Sequence, residues 1–159
     1  MIRAAVLTIS DSSFEGTRED RSGPALCERV TAAGWTVTHT QILPDERLRI
    51  SARLAELADS GLCDLILTTG GTGVAPRDIT PEATLDIADR QIPGIGELMR
   101  SEGRAFTPLA VLSRGLAASR GTTLIVNVPG SPKGAVQSFD AIVKLVPHLV
   151  DLLHGRTGH

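Results

Sequence analysis

Asp64-Leu65-Ile66-Leu67-Thr68-Thr69-Gly70-Gly71-Thr72-Gly73 runs from an apolar segment straight into a loop with three glycines, and Asp78-Ile79-Thr80-Pro81-Glu82 lies just beyond it. A short apolar run bounded by turn signals reads as a buried strand. The loop then leads into a helix, with Thr80 expected as N-cap and Pro81 at the first helical position. Glycines in such a turn let backbone N–H groups approach an anion that a Cβ would keep away. A helix N-terminus adds partial positive charge. Asp78 runs against a plain anion cradle, because a carboxylate repels a phosphate unless a metal ion lies between them. Glycine loop plus acid therefore reads as a site for a nucleotide or phosphate ester with a divalent cation. The glycines alone suit an ordinary strand-to-helix turn equally well, and an acid near a helix start is favourable without any ligand. The segment is not a Walker loop, since no Gly-Lys-Ser/Thr follows. Nor is it a dinucleotide fingerprint, since Val74, Ala75 and Pro76 follow Gly73.

The same alternation of strand and helix recurs on both sides. Residues 2–9 form an apolar run, the mark of a strand buried on both faces, and Ser10-Asp11-Ser12-Ser13 ends it. The polar stretch 15–21 is expected to be a mobile loop. Ser22 is the expected N-cap of a helix carrying Leu26, Cys27, Val30 and Ala33, stopped at Gly34. Residues 35–43 alternate apolar and polar and read as a half-exposed strand near an edge. Pro44-Asp45 breaks that strand, and a helix with Leu48, Ile50, Leu54, Leu57 and Ala58 runs on to Gly61. A third strand is expected over 62–69, a short helix over 81–89 and another opening at Pro93-Gly94. Residues 109–119 fit neither pattern. Residues 123–128 read as a strand, and 135–153 as one long amphipathic helix. With no repeat and no linker, residues 1–159 are expected to form a single domain.

Strands alternating with helices predict a parallel sheet with helices on both faces. Right-handed crossovers then gather every strand-to-helix loop at one end of the sheet. The loops at 10–13, 44–45, 70–78 and 129–133 would converge there on one composite site, where open α/β sheets bind ligands.

Composition removes several alternatives. Aromatic residues make up 3% of the chain and Tyr is missing, so base-stacking platforms for nucleic acid are not expected. A net charge of −2 with dispersed Arg and Lys leaves no basic footprint for DNA or RNA. Cys27 and Cys63 fit no metal or redox spacing; both lie in apolar patterns and are expected to be buried free thiols in a reducing compartment. No stretch is long and apolar enough for a membrane span, and the N-terminus enters a strand without a signal-peptide pattern. A cytoplasmic location is the expectation.

The loops carry the chemistry. Plain N-capping explains Asp45 well. Asp78 stands outside the cap, and two acids on adjacent loops could hold Mg²⁺, which takes one or two carboxylates plus substrate phosphates and waters. Ser10, Asp11, Ser12 and Ser13 could bind a second polar ligand, although turn formation explains any one of them alone. Lys133, at the start of the last helix, could meet an anion or simply be solvated. There is no Gly-x-Ser-x-Gly nucleophile elbow. His39, His148, His154 and His159 have no zinc spacing. A chain without a nucleophile suits phosphoryl or nucleotidyl transfer, which depends on positioning and charge stabilisation.

Taken together, these residues resemble the MogA/MoaB family of molybdenum cofactor biosynthesis proteins. The likeness is carried in order by Thr8-Ile9-Ser10-Asp11, Glu19-Asp20-Arg21-Ser22-Gly23-Pro24, Pro44-Asp45-Glu46, Thr69-Gly70-Gly71-Thr72-Gly73, Arg77-Asp78-Ile79-Thr80-Pro81-Glu82-Ala83-Thr84, Ile92-Pro93-Gly94, Leu112-Ser113-Arg114 and Asn127-Val128-Pro129-Gly130-Ser131-Pro132. The resemblance implies a three-layer α/β/α sandwich with a mostly parallel sheet and one antiparallel edge strand. It implies a homotrimer or hexamer, and the molybdenum-insertion protein of the same pathway as a partner. The implied reaction is Mg²⁺-dependent transfer of AMP from ATP to the terminal phosphate of molybdopterin. Asp45 and Asp78 carry over as catalytic acids and metal ligands. Gly70, Gly71, Thr72, Gly73 and Ser131 would hold the nucleotide, and Ser10, Asp11, Ser113 and Lys133 the pterin substrate. A non-catalytic trimeric pterin-binding or scaffolding protein is the second reading, and retention of Asp45 and Asp78 favours the enzyme.

Overall fold

The structure, a computed structural model, describes residues 1–158. Its sheet is built from β1 (Arg3–Ile9), β2 (Thr36–Leu43), β3 (Leu65–Thr69), β4 (Arg90–Gln91), β5 (Ala117–Arg120) and β6 (Thr123–Val128), in the spatial order β2-β1-β3-β6-β5-β4. The first four in that order are mutually parallel. β5 runs antiparallel to β6, and only the two-residue β4 lies beyond it. The helices are α1 (Asp11–Glu15), α2 (Ser22–Ala32), α3 (Arg47–Asp59), α4 (Thr80–Leu85), α5 (Pro93–Gly103), α6 (Pro132–Ile142) and α7 (Val146–Leu153). A 3₁₀ turn, Pro108–Leu112, precedes β5.

Alternation along the strands makes the three layers. In β1, Ala4 and Val6 face one core with Leu26, Val30, Phe139 and Ile142, while Ala5, Leu7 and Ile9 face a second with Ile50, Leu54 and Leu57. Side chains two apart share a face of a strand, so an unbroken apolar run feeds both cores. α2, α5, α6 and α7 cover the first face; α3 and α4 cover the second. The chain leaves β1 for β2 on one side and then crosses back to β3 on the other. Two right-handed crossovers in opposite directions must place α2 and α3 on opposite faces. The point of reversal, between β1 and β3, opens a crevice at the carboxyl ends of the strands.

Several sequence expectations need correction. The long helix of 135–153 is two helices, because Pro147 lacks an N–H and its ring would clash with the preceding turn; it is accommodated in the first turn of α7. The third strand starts at Leu65 rather than at residue 62, and α4 ends at Leu85 rather than 89. The serine-rich stretch after β1 is not only a loop: it folds as α1, with Ser10 as its N-cap. Ser22 is the first residue of α2 and does not cap it; Asp20 accepts from the Gly23 amide at 3.0 Å instead. Cys63 is buried, and burial pushes its thiol up to about 11, whereas Cys27 is only half-buried. None of the described helices is long and apolar enough to cross a membrane.

Phe139 anchors the first core. It is 1% exposed and meets Trp35 edge-on, with ring centroids 5.6 Å apart. Phe139→Ala is expected to lower unfolding free energy by about 3–5 kcal/mol. Chemical denaturation checks this, and a loss below about 1 kcal/mol would contradict the packing described.

Candidate active site

A cleft of about 650 Å³ opens at the carboxyl ends of β1 and β3. Ser10, Asp45, Gly70, Gly71, Asp78 and Ser131 line it, so the structure brings together six of the residues singled out from sequence. A second, more apolar groove of about 390 Å³ adjoins it and contains Thr72, Gly73 and Ser113, with Ser131 shared between the two. Lys133 is exposed and lines neither. Asp11 sits at the edge of the first cleft against Asp45.

Register explains the acids. Ile9 of β1 pairs with Leu43 of β2, so Asp11 and Asp45, each two residues further on, stand side by side. The Asp11 amide donates to Asp45 Oδ2 at 2.9 Å, and the Asp45 amide donates to Asp11 Oδ1 at 2.9 Å. Asp45 is therefore not the α3 cap; Glu46 holds that position and makes no side-chain cap. Both Asp11 oxygens also accept from Arg77, at 2.6 and 3.1 Å. The Arg77 guanidinium holds the Asp11 carboxyl below the usual carboxylate range. Asp45 moves the other way: burial pushes it up, and the charges of Asp11 and Asp78 push it further. Asp11 is engaged by protein donors on both oxygens, and its side chain remains 32% exposed.

The glycine loop is steric as well as permissive. Gly70 and Gly71 have φ of +107° and +68°, which L side chains rarely adopt. A Cβ on Gly70 would strike the Ile9 carbonyl, and one on Gly71 would strike the Thr80 hydroxyl and lie 3.1 Å from Asp45 Oδ1. On Gly73 a Cβ would lie 2.7 Å from Asp78 Oδ2. These glycines thus make room for the two acids, beyond any approach of phosphate. The amides of Gly71, Thr72, Gly73 and Val74 meet no acceptor among the described residues, as an anion-binding nest requires. Thr80 does not cap α4. Its hydroxyl is turned to the Gly70 carbonyl at 3.0 Å, and Pro81 falls inside the first turn.

Asp78 is placed by the same loop. Its Oδ2 accepts from the Ala75 amide at 2.9 Å. Oδ1 of Asp45 and Oδ1 of Asp78 take no hydrogen bond from the described residues, and neither acid has an ion-pair partner among them. No group of three or more His, Cys, Asp or Glu forms a complete metal cage among the described residues. Two acids with an open oxygen each, beside a nest of free amides, suit Mg²⁺, whose remaining ligands come from phosphates and water.

Other residues escaped sequence reasoning. Arg114 donates to the carbonyls of Gly73 and Asp78, each at 2.7 Å, and pairs with Glu82 at 2.6 Å. Its own amide donates to the Thr72 carbonyl at 2.7 Å. This one side chain fixes both ends of the loop that carries Asp78. Arg114 lies in one of the segments that carry the family likeness, but nothing local shows what it holds, since its partners lie more than thirty residues away. Asp20 also lines the cleft, accepting from Thr8 Oγ1 at 2.8 Å; its cap spacing ahead of Gly23 is the signal that could have found it. The histidines stand apart: His39 meets Thr38 on β2, His154 faces Asp64 at the opposite end of the sheet, and His159 lies outside the described residues.

Fold and cleft are those of an α/β protein with a site suited to a nucleotide or phosphate ester. Residues 5–148 match the family model described as a probable molybdopterin binding domain, and the chain belongs to that family. It is 42% identical over 156 residues to the molybdopterin adenylyltransferase of Helicobacter pylori J99, covering 97% of this chain and 89% of that one. It is 40% identical over 168 residues to the molybdopterin adenylyltransferase of Escherichia coli K12, covering 97% and 86%. The crystal structure of the molybdopterin biosynthesis enzyme MoaB from Thermus thermophilus superimposes with a TM-score of 0.91 at 47% identity, covering 100% of this chain and 98% of that one.

Arg114→Met keeps the apolar stem and removes the clamp. The Glu82 carboxyl, now held low by Arg114, would be left without its partner. The Asp78 loop is expected to become susceptible to proteolysis near residues 73–78, while the core elements keep their hydrogen-exchange protection. Unchanged cleavage would show that the loop is held by other contacts.

Proposed function

We propose that this protein is a molybdopterin adenylyltransferase of molybdenum cofactor biosynthesis, acting as a single domain on ATP and molybdopterin. The observation that carries this reading is the pair of uncompensated acids, Asp45 and Asp78, each with an open oxygen beside the unbonded amides of Gly71 to Gly73. The names of its relatives supply the two substrates. Retention of both acids favours the enzyme over a non-catalytic pterin-binding scaffold.

In this reading the terminal phosphate of molybdopterin attacks the α-phosphorus of ATP. A new P–O bond forms, the bond to the β-phosphate breaks, and pyrophosphate leaves. The attacking phosphate is already ionised, so no side chain must remove a proton. Mg²⁺, held by Asp45 and Asp78, would neutralise charge on the phosphates. Gly71 to Gly73 and the α6 N-terminus, capped by Ser131, supply backbone donors and dipole for the triphosphate, with Gly70 setting the turn. Ser10 lines the same cleft, and Ser113 and Thr72 belong to the adjoining groove, which suits the pterin. Lys133, exposed beside the α6 start, would attract the anionic substrates as they enter. The protein would act in the cytoplasm as a homotrimer or hexamer and pass its product to the molybdenum-insertion protein. Exposed Phe106, Leu109, Val111 and Leu112 around the 3₁₀ turn support assembly.

Pyrophosphate release from ATP with purified molybdopterin and Mg²⁺ tests the activity. Asp78→Asn keeps an acceptor for the Ala75 amide and removes the charge. Turnover is expected to fall at least ~10²-fold, about 2.7 kcal/mol of transition-state stabilisation, with little change in melting temperature. Parent-like rates in this variant would remove Asp78 from the mechanism.

A further inference from the structure

We infer that Asp11 and Arg77 are positioning residues that hold the Asp45 carboxylate in its metal-binding orientation. This rests on the reading of Asp45 as a ligand of the divalent cation. The amide of Asp11 fixes Asp45 Oδ2 at 2.9 Å, which leaves Oδ1 as the oxygen open to the cleft. The Asp45 amide is fixed in turn on Asp11 Oδ1. Arg77 closes the arrangement from the third loop, donating through Nε to Oδ2 and through Nη2 to Oδ1 of Asp11.

The charges explain why a third side chain is needed. Asp11 and Asp45 stand side by side and Asp78 lines the same cleft as Asp45, close enough for the like charges of both to act on Asp45. Arg77 neutralises Asp11, the member whose two oxygens both accept from protein donors. The uncompensated charge is then confined to Asp45 and Asp78, where a cation would sit. A planar guanidinium fits a carboxylate at two points, which sets orientation as well as charge. Arg77 also precedes Asp78 in the chain, so the same contact ties the loop of one acid to the support of the other. The Arg77 side chain is 63% exposed, and an exposed ion pair contributes little to stability. Its loss should therefore be read in metal binding and not in folding.

Mn²⁺ binding in the presence of α,β-methylene-ATP, followed by electron paramagnetic resonance, tests the inference on the full-length protein. In Arg77→Gln the Mn²⁺ dissociation constant is expected to rise about tenfold, the scale of an outer-shell loss. Arg77→Lys, which keeps the charge without the two-point grip, is expected to recover part of it. The half-saturating Mg²⁺ concentration in turnover should rise in parallel, with kcat at saturating Mg²⁺ near the parent value and the melting temperature unchanged. Unchanged Mn²⁺ affinity in Arg77→Gln, alongside a loss in Asp45→Asn, overturns the positioning role and leaves the metal site standing. Retained affinity in Asp45→Asn overturns the metal reading and the inference with it. Weakened binding of the ATP analogue in EDTA would identify Arg77 as a direct phosphate ligand and also overturn the inference.

Discussion

Parallel pairing of β1 with both β2 and β3 sets the position of nearly everything at the cleft. Thr8 lies opposite Thr69, and Ile9 opposite Leu43, so three chain segments leave the sheet at one level. The segment after β1 then meets the segment after β2 closely enough for Asp11 and Asp45 to exchange amide hydrogen bonds. The segment after β3 turns at once, because Gly70 packs against the Ile9 carbonyl with no room for a side chain. A slip of one residue in either pairing would reverse which side chains face each core. Burial of both faces of β1 and β3 makes that slip costly, and the functional loops inherit their register from it.

Electrostatic compensation is distributed unevenly, and the unevenness marks the site. Arg3 is paired with Asp64, Arg47 with Asp86, Arg114 with Glu82 and Arg120 with Asp59. Asp45 and Asp78 each lack an ion pair and keep one oxygen without a hydrogen bond among the described residues, whereas both oxygens of Asp20 in the same cleft accept one. Burial and the like charges of Asp11 and Asp78 push the Asp45 carboxyl above the usual carboxylate range. Arg114 acts in the opposite sense: it satisfies three carbonyls and a carboxylate through its amide and guanidinium, and so holds a loop without blocking it.

A buried polar layer supports the loop from below. Thr80 reaches the Gly70 carbonyl, Thr84 reaches the Thr80 carbonyl, and Asn127 donates to both Thr68 and Thr84. These residues lie between the sheet and α4, where an apolar side chain would leave the loop carbonyls unsatisfied. A short helix of six residues is thereby joined to two strands and to the glycine turn. The same contacts explain why Thr80 is not available as an N-cap.

The sequence by itself determined the alternation of strands and helices, the buried character of β1 and β3, the exposed edge at β2, and the convergence of glycine and acid on one end of the sheet. Those features depend on periodicities of two and 3.6 residues and on turn chemistry, which are local. The segments shared with the MogA/MoaB family added the edge strand and the substrate class. Tertiary structure alone decided that Asp45 is held by Asp11 instead of capping a helix, that Arg77 reaches Asp11, and that Arg114 reaches the carbonyls of Gly73 and Asp78. It also decided that Lys133 stands outside both cavities and that residues 117–120 form a strand. Each of these is a contact between segments distant in the chain, fixed by strand order and register, and no local pattern of residues encodes which distant carboxylate an arginine will reach.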